Sequence, residues 1–179
     1  HNGPVIRNEM GPHQGWALMT PDGSRIVSES QDGSIFSDGF VVRDRRDGRQ
    51  LTTIPNAGRW MDGASISPNG RFMITRKHSV RGGSPSDTLS VWNLETGSKV
   101  SELAEPAYSA MEVAFSPDSS TIAGVVWSRD RAPSTDNTIR IVLWDLESGR
   151  VLSERSLGAD RAVVPVFSVN GRTLAVAVG

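Results

Sequence analysis

MTPDGSRIVS (19–28), ISPNGRFMIT (66–75), FSPDSSTIAG (115–124) and FSVNGRTLAV (167–176) are versions of one another. Between them lie VVRDRRDGRQL (41–51), VWNLETGSKV (91–100) and LWDLESGRVL (143–152). The turn prolines Pro21, Pro68 and Pro117 are 47 and 49 residues apart, and Asp44, Asn93 and Asp145 recur after 49 and 52. A period of this length means an array of like units, each one supersecondary element. Function is then to be sought on the surface that the array presents, not in one motif.

The third unit shows how each is built. Met111, Val113 and Phe115 alternate with Glu112 and Ala114, the pattern of a half-buried strand. Ser116-Pro117-Asp118-Ser119 is a turn, with Pro presetting φ and Asp able to bond its own backbone. Thr121–Trp127 is a β-branched run suited to a strand covered on both faces. After a polar stretch, Thr138–Asp145 is a third strand, and Arg150–Leu157 a fourth, more polar one. The same reading assigns first strands to Trp16–Thr20, Ala64–Ser67, Glu112–Phe115 and Val164–Ser168. Second strands fall at Arg25–Glu29, Arg71–Arg76, Thr121–Trp127 and Thr173–Val178. Third strands fall at Phe40–Asp44, Thr88–Asn93 and Thr138–Asp145, and fourth strands at Arg49–Ile54, Ser98–Leu103 and Arg150–Leu157. No window holds a helical period. The expected fold class is all-β, with four-stranded antiparallel units that suggest propeller blades.

Residues of the third unit carry a resemblance to a known family. LWDLESGRVL is similar to the signature of the WD-repeat β-propellers, and VWNLETGSKV matches with Asn93 in place of Asp. VVRDRRDGRQL keeps Asp44 but has Arg43 where the family has Trp. His1-Asn2-Gly3-Pro4-Val5 resembles the family's turn before a first strand, and FSPDSSTIA its first-to-second turn. The resemblance covers nearly all of the chain, and the repeats are diverged in the manner of bacterial multidomain members. It implies a buried network of His, Asp, a strand Ser or Thr and the signature Trp. Asp38, Asp87 and Asp136 stand at the Asp position, together with Trp92 and Trp144 as the signature Trp. The later units have no matching His, so apolar packing carries more of the stability, at roughly 25 cal/mol per Å². Two extra residues in IRIVLWD are expected to be absorbed as a β-bulge.

The expected organisation is a single partial propeller over 1–179, with blades at about 12–54, 60–103 and 108–157 and an incomplete one at 162–179. That is an open arc rather than a closed ring. A blade cannot bury its faces alone, so the remaining blades in cis, or a second copy, are expected partners.

In this fold the loops from second to third strands share one end with the turns before first strands. Those loops are long here: SQDGSIFSDG (30–39), RKHSVRGGSPSD (76–87) and SRDRAPSTDN (128–137). Long loops on a rigid scaffold are where binding residues tend to lie. Arg76, Lys77, His78, Arg81, Arg129 and Arg131 make this end basic, and His13, Trp60, Tyr108 and Arg161 join it from the approach turns. Aromatic and Arg side chains are the usual anchors of interfaces. The competing reading makes the Arg residues a solvated face and Trp60 and Tyr108 packing residues. Trp92, Trp127 and Trp144 are read as core.

Composition narrows the chemistry. The 179 residues carry a net charge of −1, against the basic excess of a nucleic-acid binder. No apolar run approaches a membrane span. There is no Cys, which excludes disulfides and thiolate metal sites. The cytoplasm is the expected compartment, although secreted proteins can also lack Cys. His1, His13 and His78 have no second ligand at metal spacing. No Gly-x-Ser-x-Gly elbow is present, Arg81-Gly82-Gly83-Ser84 lacks a following helix, and the Asp-Gly pairs are turn formers without a calcium loop. No metal, cofactor or catalytic residue is expected. The resulting expectation is a non-enzymatic scaffold that binds other proteins or peptides at its long-loop end. The alternatives are a propeller-based enzyme or ligand-binding protein with its site in other blades, and a sensor module attached to a catalytic domain.

Overall fold

The computed structural model describes residues 5–8, 15–30, 39–55, 57, 64–81, 84–104, 108–128, 139–157 and 164–177. Every regular element in them is a β-strand. The first sheet is β1 (Val5–Asn8), β2 (Gly15–Met19), β3 (Arg25–Glu29), β4 (Gly39–Asp44) and β5 (Gln50–Pro55), hydrogen-bonded in that order. The second is β6 (Ser65–Ile66), β7 (Phe72–Arg81), β8 (Ser84–Asn93) and β9 (Lys99–Ala104). The third is β10 (Tyr108–Phe115), β11 (Thr121–Ser128), β12 (Ile139–Asp145) and β13 (Val151–Ser156). A two-stranded sheet follows, β14 (Val166–Phe167) with β15 (Leu174–Ala175). The fold class is as expected: all-β, four-stranded antiparallel sheets, each a meander of consecutive strands.

The chain forms two compact units, His1–Lys77 with Ser90–Val100, and His78–Leu89 with Ser101–Gly179. In the first, the core lies between sheets. Leu18, Val27, Phe40, Val42, Ile54 and Ala57 pack with Met73, Trp92 and Leu94, and Ala64 and Ile66 close the edge. The alternation of the strands turns these residues inward, so each sheet hides the apolar side of its neighbour. In the second unit Ile122, Ala123, Val125, Val126, Ile139, Val142, Trp144 and Leu146 are buried. The Trp144 indole lies against Gly124, where a Cβ would come within 2.7 Å of Cζ3. Glycine is required at this point because the ring takes the room of a side chain.

Four expectations are corrected. Val5–Asn8 is a strand paired with Gly15–Met19, so the first sheet has five strands and begins before residue 12. Val5 and Ile6 are β-branched and suit a strand, but Val-Ile-Arg-Asn has no alternation to mark one. Residues 76–87 are not a long loop: β7 runs to Arg81 and β8 starts at Ser84, each ten residues long. Thr75 and Val80 favour the extended backbone that the polar composition concealed. Tyr108 is not in an approach turn but opens β10, whose register shifts between Ala110 and Glu112. Finally, the two extra residues of the third repeat lengthen the strand pair. Pairing runs unbroken from Thr121 opposite Asp145 to Trp127 opposite Ile139. The bulge lies one strand over, between Leu143 and Trp144 in the β12–β13 pairing, and the first sheet has the same shift between Val42 and Arg43. It belongs to the repeat, not to the insertion.

Candidate functional site

The turns are built alike in every repeat. Between first and second strands, Thr20 Oγ1 donates to Asp22 Oδ1 at 2.6 Å, Asp22 accepts the Ser24 N–H at 3.0 Å, and the Arg25 N–H donates back to Thr20 Oγ1 at 3.0 Å. Ser67 and Asn69 repeat this with Arg71 and Phe72. Ser116 and Asp118 repeat it with Ser120 and Thr121, and Ser168 and Asn170 with Arg172 and Thr173. The left-handed position is Gly23, Gly70, Ser119 and Gly171 in turn, with φ between 60° and 69°. These hydrogen bonds favour the ionised carboxylate. Thr20 first, then Ser24, hold Asp22 down to about 2. Ser116, then Ser120, lower Asp118 in the same way.

The turns from third to fourth strands use the signature Asp or Asn. Asp44 Oδ1 accepts the Arg46 N–H at 2.7 Å, Asn93 Oδ1 accepts the Glu95 N–H at 2.8 Å, and Asp145 Oδ1 accepts the Ser148 N–H at 2.8 Å and the Ser148 hydroxyl at 2.6 Å. The Ser148 bonds hold the Asp145 carboxyl below its ordinary value. Asp44, Asn93 and Asp145 are therefore half-buried turn formers, each accepting from its own loop.

The signature Trp residues differ from one another. Trp92 Nε1 donates to Thr75 Oγ1 at 2.9 Å inside the second sheet. Trp144 packs on Gly124, which stands where Thr75 stands in the second repeat. In the first sheet Arg43 faces Ile26, as Trp144 faces Ile122 in the third. Its guanidinium is exposed and reaches the Gly48 carbonyl at 3.5 Å. Of the expected network only the Trp92–Thr75 bond lies among the described side chains. Asp38 and Asp136 fall outside the described residues, and Asp87 lies within β8 rather than before it.

The antiparallel order sends the two kinds of short turn to one end of each sheet and the second-to-third connections to the other. On that other end, Arg76, Lys77, His78 and Arg81 lie along β7, and Tyr108 starts β10. Arg76 is half-buried. Glu29, at the same end of β3, is pushed up by burial. His13, Trp60, Arg129, Arg131 and Arg161 lie outside the described residues. Trp127 lies in β11. Among the described residues no three His, Cys, Asp or Glu side chains gather in a way that would hold a metal.

Reading the residues one repeat at a time missed how one repeat rests on the next. In the second unit, Ser101 Oγ on β9 donates to the Leu146 carbonyl at 2.6 Å, and Gly149 lies against Ser101 and Leu103. In the first, Gly97 lies on Thr52 and Thr53. The recurrence of Gly48, Gly97 and Gly149 at one phase of the repeat was the available signal.

No family model matches the chain. It is 26% identical over 136 residues to eukaryotic translation initiation factor 2A of Schizosaccharomyces pombe, which covers 73% of this chain and 23% of that protein. The chain thus spans about a quarter of the length of that relative. Among solved structures, hydrazine synthase of Kuenenia stuttgartiensis superposes with a TM-score of 0.60 at 21% identity, over 89% of this chain and 42% of that one. A eukaryotic initiation factor superposes with a TM-score of 0.57 at 12% identity, over 84% and 38%. These likenesses establish a propeller-type fold and a distant relationship to the initiation factor; at such identities the structural matches carry the fold alone.

Proposed function

We propose that this chain is a non-enzymatic scaffold that holds other proteins or peptides at the end of its sheets where second strands pass to third strands. One observation carries the reading. At that end of the second sheet β7 and β8 run on as paired ten-residue strands, and Arg76, Lys77, His78 and Arg81 are residues of β7. Presenting charged groups from strands lowers the entropy lost on binding relative to presenting them from a loop. The opposite end is occupied by turns whose polar groups already satisfy one another. The expected partner surface is acidic, because the presented groups are cationic.

A photo-crosslinking residue at position 77, compared with one at Glu95 on the opposite end, tests this. Position 77 should give the dominant adducts, and converting Arg76, Lys77 and Arg81 together to Glu should remove them. Equal yields from both ends, or adducts that survive the charge reversal, would reject the reading.

The distant likeness to an initiation factor supports a narrower version, in which the captured protein belongs to the translation initiation machinery. Co-sedimentation of the chain with small ribosomal subunits, abolished by the same triple substitution, is the expected result. Migration with the free-protein fractions at low salt would leave only the general scaffold.

A further inference from the structure

The net charge of −1 is spread unevenly over the short turns. In the first two repeats these turns, residues 20–25, 44–50, 67–72 and 93–99, hold six Arg or Lys and four Asp or Glu. The matching residues of the third repeat, 116–121 and 145–151, hold one and three. The first four turns belong to one compact unit and form one surface. Arg45 Nε donates to the Gly23 carbonyl at 2.7 Å and the Leu94 N–H to the Arg71 carbonyl at 2.8 Å, which joins the two turns of each sheet. Gly70 lies against Thr20 and Pro21, which joins the turns of one sheet to those of the next.

Three guanidinium groups are exposed on this surface because of their phase in the repeat. Arg46 matches Glu95 and Glu147, Arg49 matches Ser98 and Arg150, and Arg71 matches Ser24, Ser120 and Arg172; all of these residues are exposed. Their exposure therefore does not depend on where a repeat stands in the array. Arg43 and Arg45 differ, because their phases hold the buried Trp92, Trp144, Leu94 and Leu146 in the other repeats, and the site is drawn without them. The aspartates nearby are engaged by their own turns. Asp22 accepts from Thr20 and Ser24, Asp44 from the Arg46 N–H, and Asp47 from the Arg49 N–H at 2.9 Å. The Asp47–Arg49 ion pair is long, at 3.9 Å, and open to water, so it holds the guanidinium weakly. Among the described residues nothing accepts from the Arg46 guanidinium, and that of Arg71 lies 5.6 Å from the centre of the Phe72 ring.

We propose that Arg46, Arg49 and Arg71 form a binding surface for the sugar–phosphate backbone of a nucleic acid, at the end of the sheets opposite the one that carries the scaffold reading. The fork of N–H groups on a guanidinium matches two oxygens of one phosphate, and these cations are Arg rather than Lys. The exposed neighbours Ser24, Gln50, Asn69, Thr96 and Ser98 are polar groups of the kind that add contacts to phosphate and sugar. A protein partner fits less well, because the core of a protein interface needs aromatic or large apolar anchors. None of the described residues in these four turns exposes one. Turns offer no helix or strand pair to enter a groove, so the bases are not read. The whole-chain charge hides such a surface, since it is the local distribution that meets phosphate. Glu95 is exposed on the same surface and opposes an anion there.

The test uses the whole chain and a fluorescent oligouridylate as the probe, with oligoadenylate and a polyglutamate peptide of similar charge beside it. Oligouridylate and oligoadenylate should bind alike, and log K should fall against log salt with a slope of about −2, as three phosphate contacts on a single strand require. Converting Arg46, Arg49 and Arg71 together to Gln should weaken binding at least about tenfold at low salt and remove most of the slope, with the strand spectrum kept. Glu95→Gln should strengthen binding. Absence of oligonucleotide binding, or a triple variant that binds like the parent, would overturn the proposal. Polyglutamate binding as tightly as the oligonucleotides would overturn it in favour of an acidic polypeptide. The Glu variants of Arg76, Lys77 and Arg81 should still bind the probe, so the scaffold reading can fail at position 77 while this surface stands.

Discussion

Trp92 donates its indole N–H to Thr75 Oγ1 at 2.9 Å, joining the second and third strands of the second sheet from within the core. Both residues are buried, and Thr75 is 1% exposed. The bond gives the signature Trp a purpose beyond bulk: a buried indole N–H needs an acceptor, and the strand beside it supplies one.

Replacing Thr75 with Val keeps the shape and removes the acceptor. The stranded N–H should cost about 1–3 kcal/mol. Thr75→Ser keeps the hydroxyl and should cost less than Thr75→Val. Urea denaturation followed by Trp fluorescence measures both, and equal losses in the two variants would show that the methyl group, not the hydroxyl, is what matters.

Gly48 and Gly97 occupy the same turn position and both have φ near +70°, but their surroundings differ. A Cβ on Gly48 meets nothing within 4 Å, whereas one on Gly97 meets the Thr53 carbonyl oxygen at 2.1 Å. Gly48→Ala should cost only the left-handed penalty, about 1 kcal/mol. Gly97→Ala adds the displacement of one sheet from the other and should cost about 3 kcal/mol or more. The ratio of the two losses in thermal melts measures how firmly repeat rests on repeat.

Acid sensitivity should come from only some of the four equivalent turns. Asp22 and Asp118 carry carboxylates with lowered pKa values, while Asn69 and Asn170 make the same turn with an amide. A carboxyl depressed by folding stabilises the native state above its unfolded value and loses that contribution as pH falls through the folded value. For Asp22 the window runs from the ordinary 3.8 down to about 2. Asp22→Asn with Asp118→Asn should flatten the fall of stability across that window and leave neutral stability little changed. Both groups are solvent-facing, so the effect should be modest and weaker at high salt. An unaltered pH profile of the double variant would place the acid sensitivity elsewhere.

Much of this architecture was legible from the repeated strings. The turn motif has Ser or Thr, then Asp or Asn two residues on, then a backbone donor, and each part makes a short-range bond that the sequence alone implies. What was not legible depended on length and on neighbours. Polar residues such as Lys77, His78 and Ser79 read as loop because strand propensity is weak where an extended pair of strands decides the conformation. Tyr108 was misplaced because a bulge at Ala110 hides the alternation before it. The contact of Ser101 with Leu146 joins residues 45 apart and leaves no local trace. The charged end was named from Arg76, Lys77, His78, Arg81, Arg129 and Arg131; the first four belong to β7, a placement the sequence did not show, and Arg129 and Arg131 lie outside the described residues.

Gly124 offers a direct test of why the repeats have diverged. It stands at the phase of Thr75, so a simple consensus argument would restore Thr there and expect a second indole hydrogen bond. The structure argues the opposite. The Trp144 ring lies where the side chain would go, with a Cβ at 2.7 Å from Cζ3 and 3.0 Å from Cη2, and Val113 Cγ1 closes the far side at 3.5 Å. Trp144 itself is only 2% exposed, so the ring has little space into which to retreat. Overpacking of this kind costs about 1–3 kcal/mol and is not repaid by one hydrogen bond of about 1 kcal/mol. Gly124→Thr should therefore destabilise the chain, and Gly124→Ala should do so by a smaller amount. Combining Gly124→Thr with Trp144→Phe, which shortens the ring, should recover part of the loss. Chemical denaturation of the three variants decides it: a Gly124→Thr chain as stable as the parent would mean that the indole moves freely and that this packing does not set the residue.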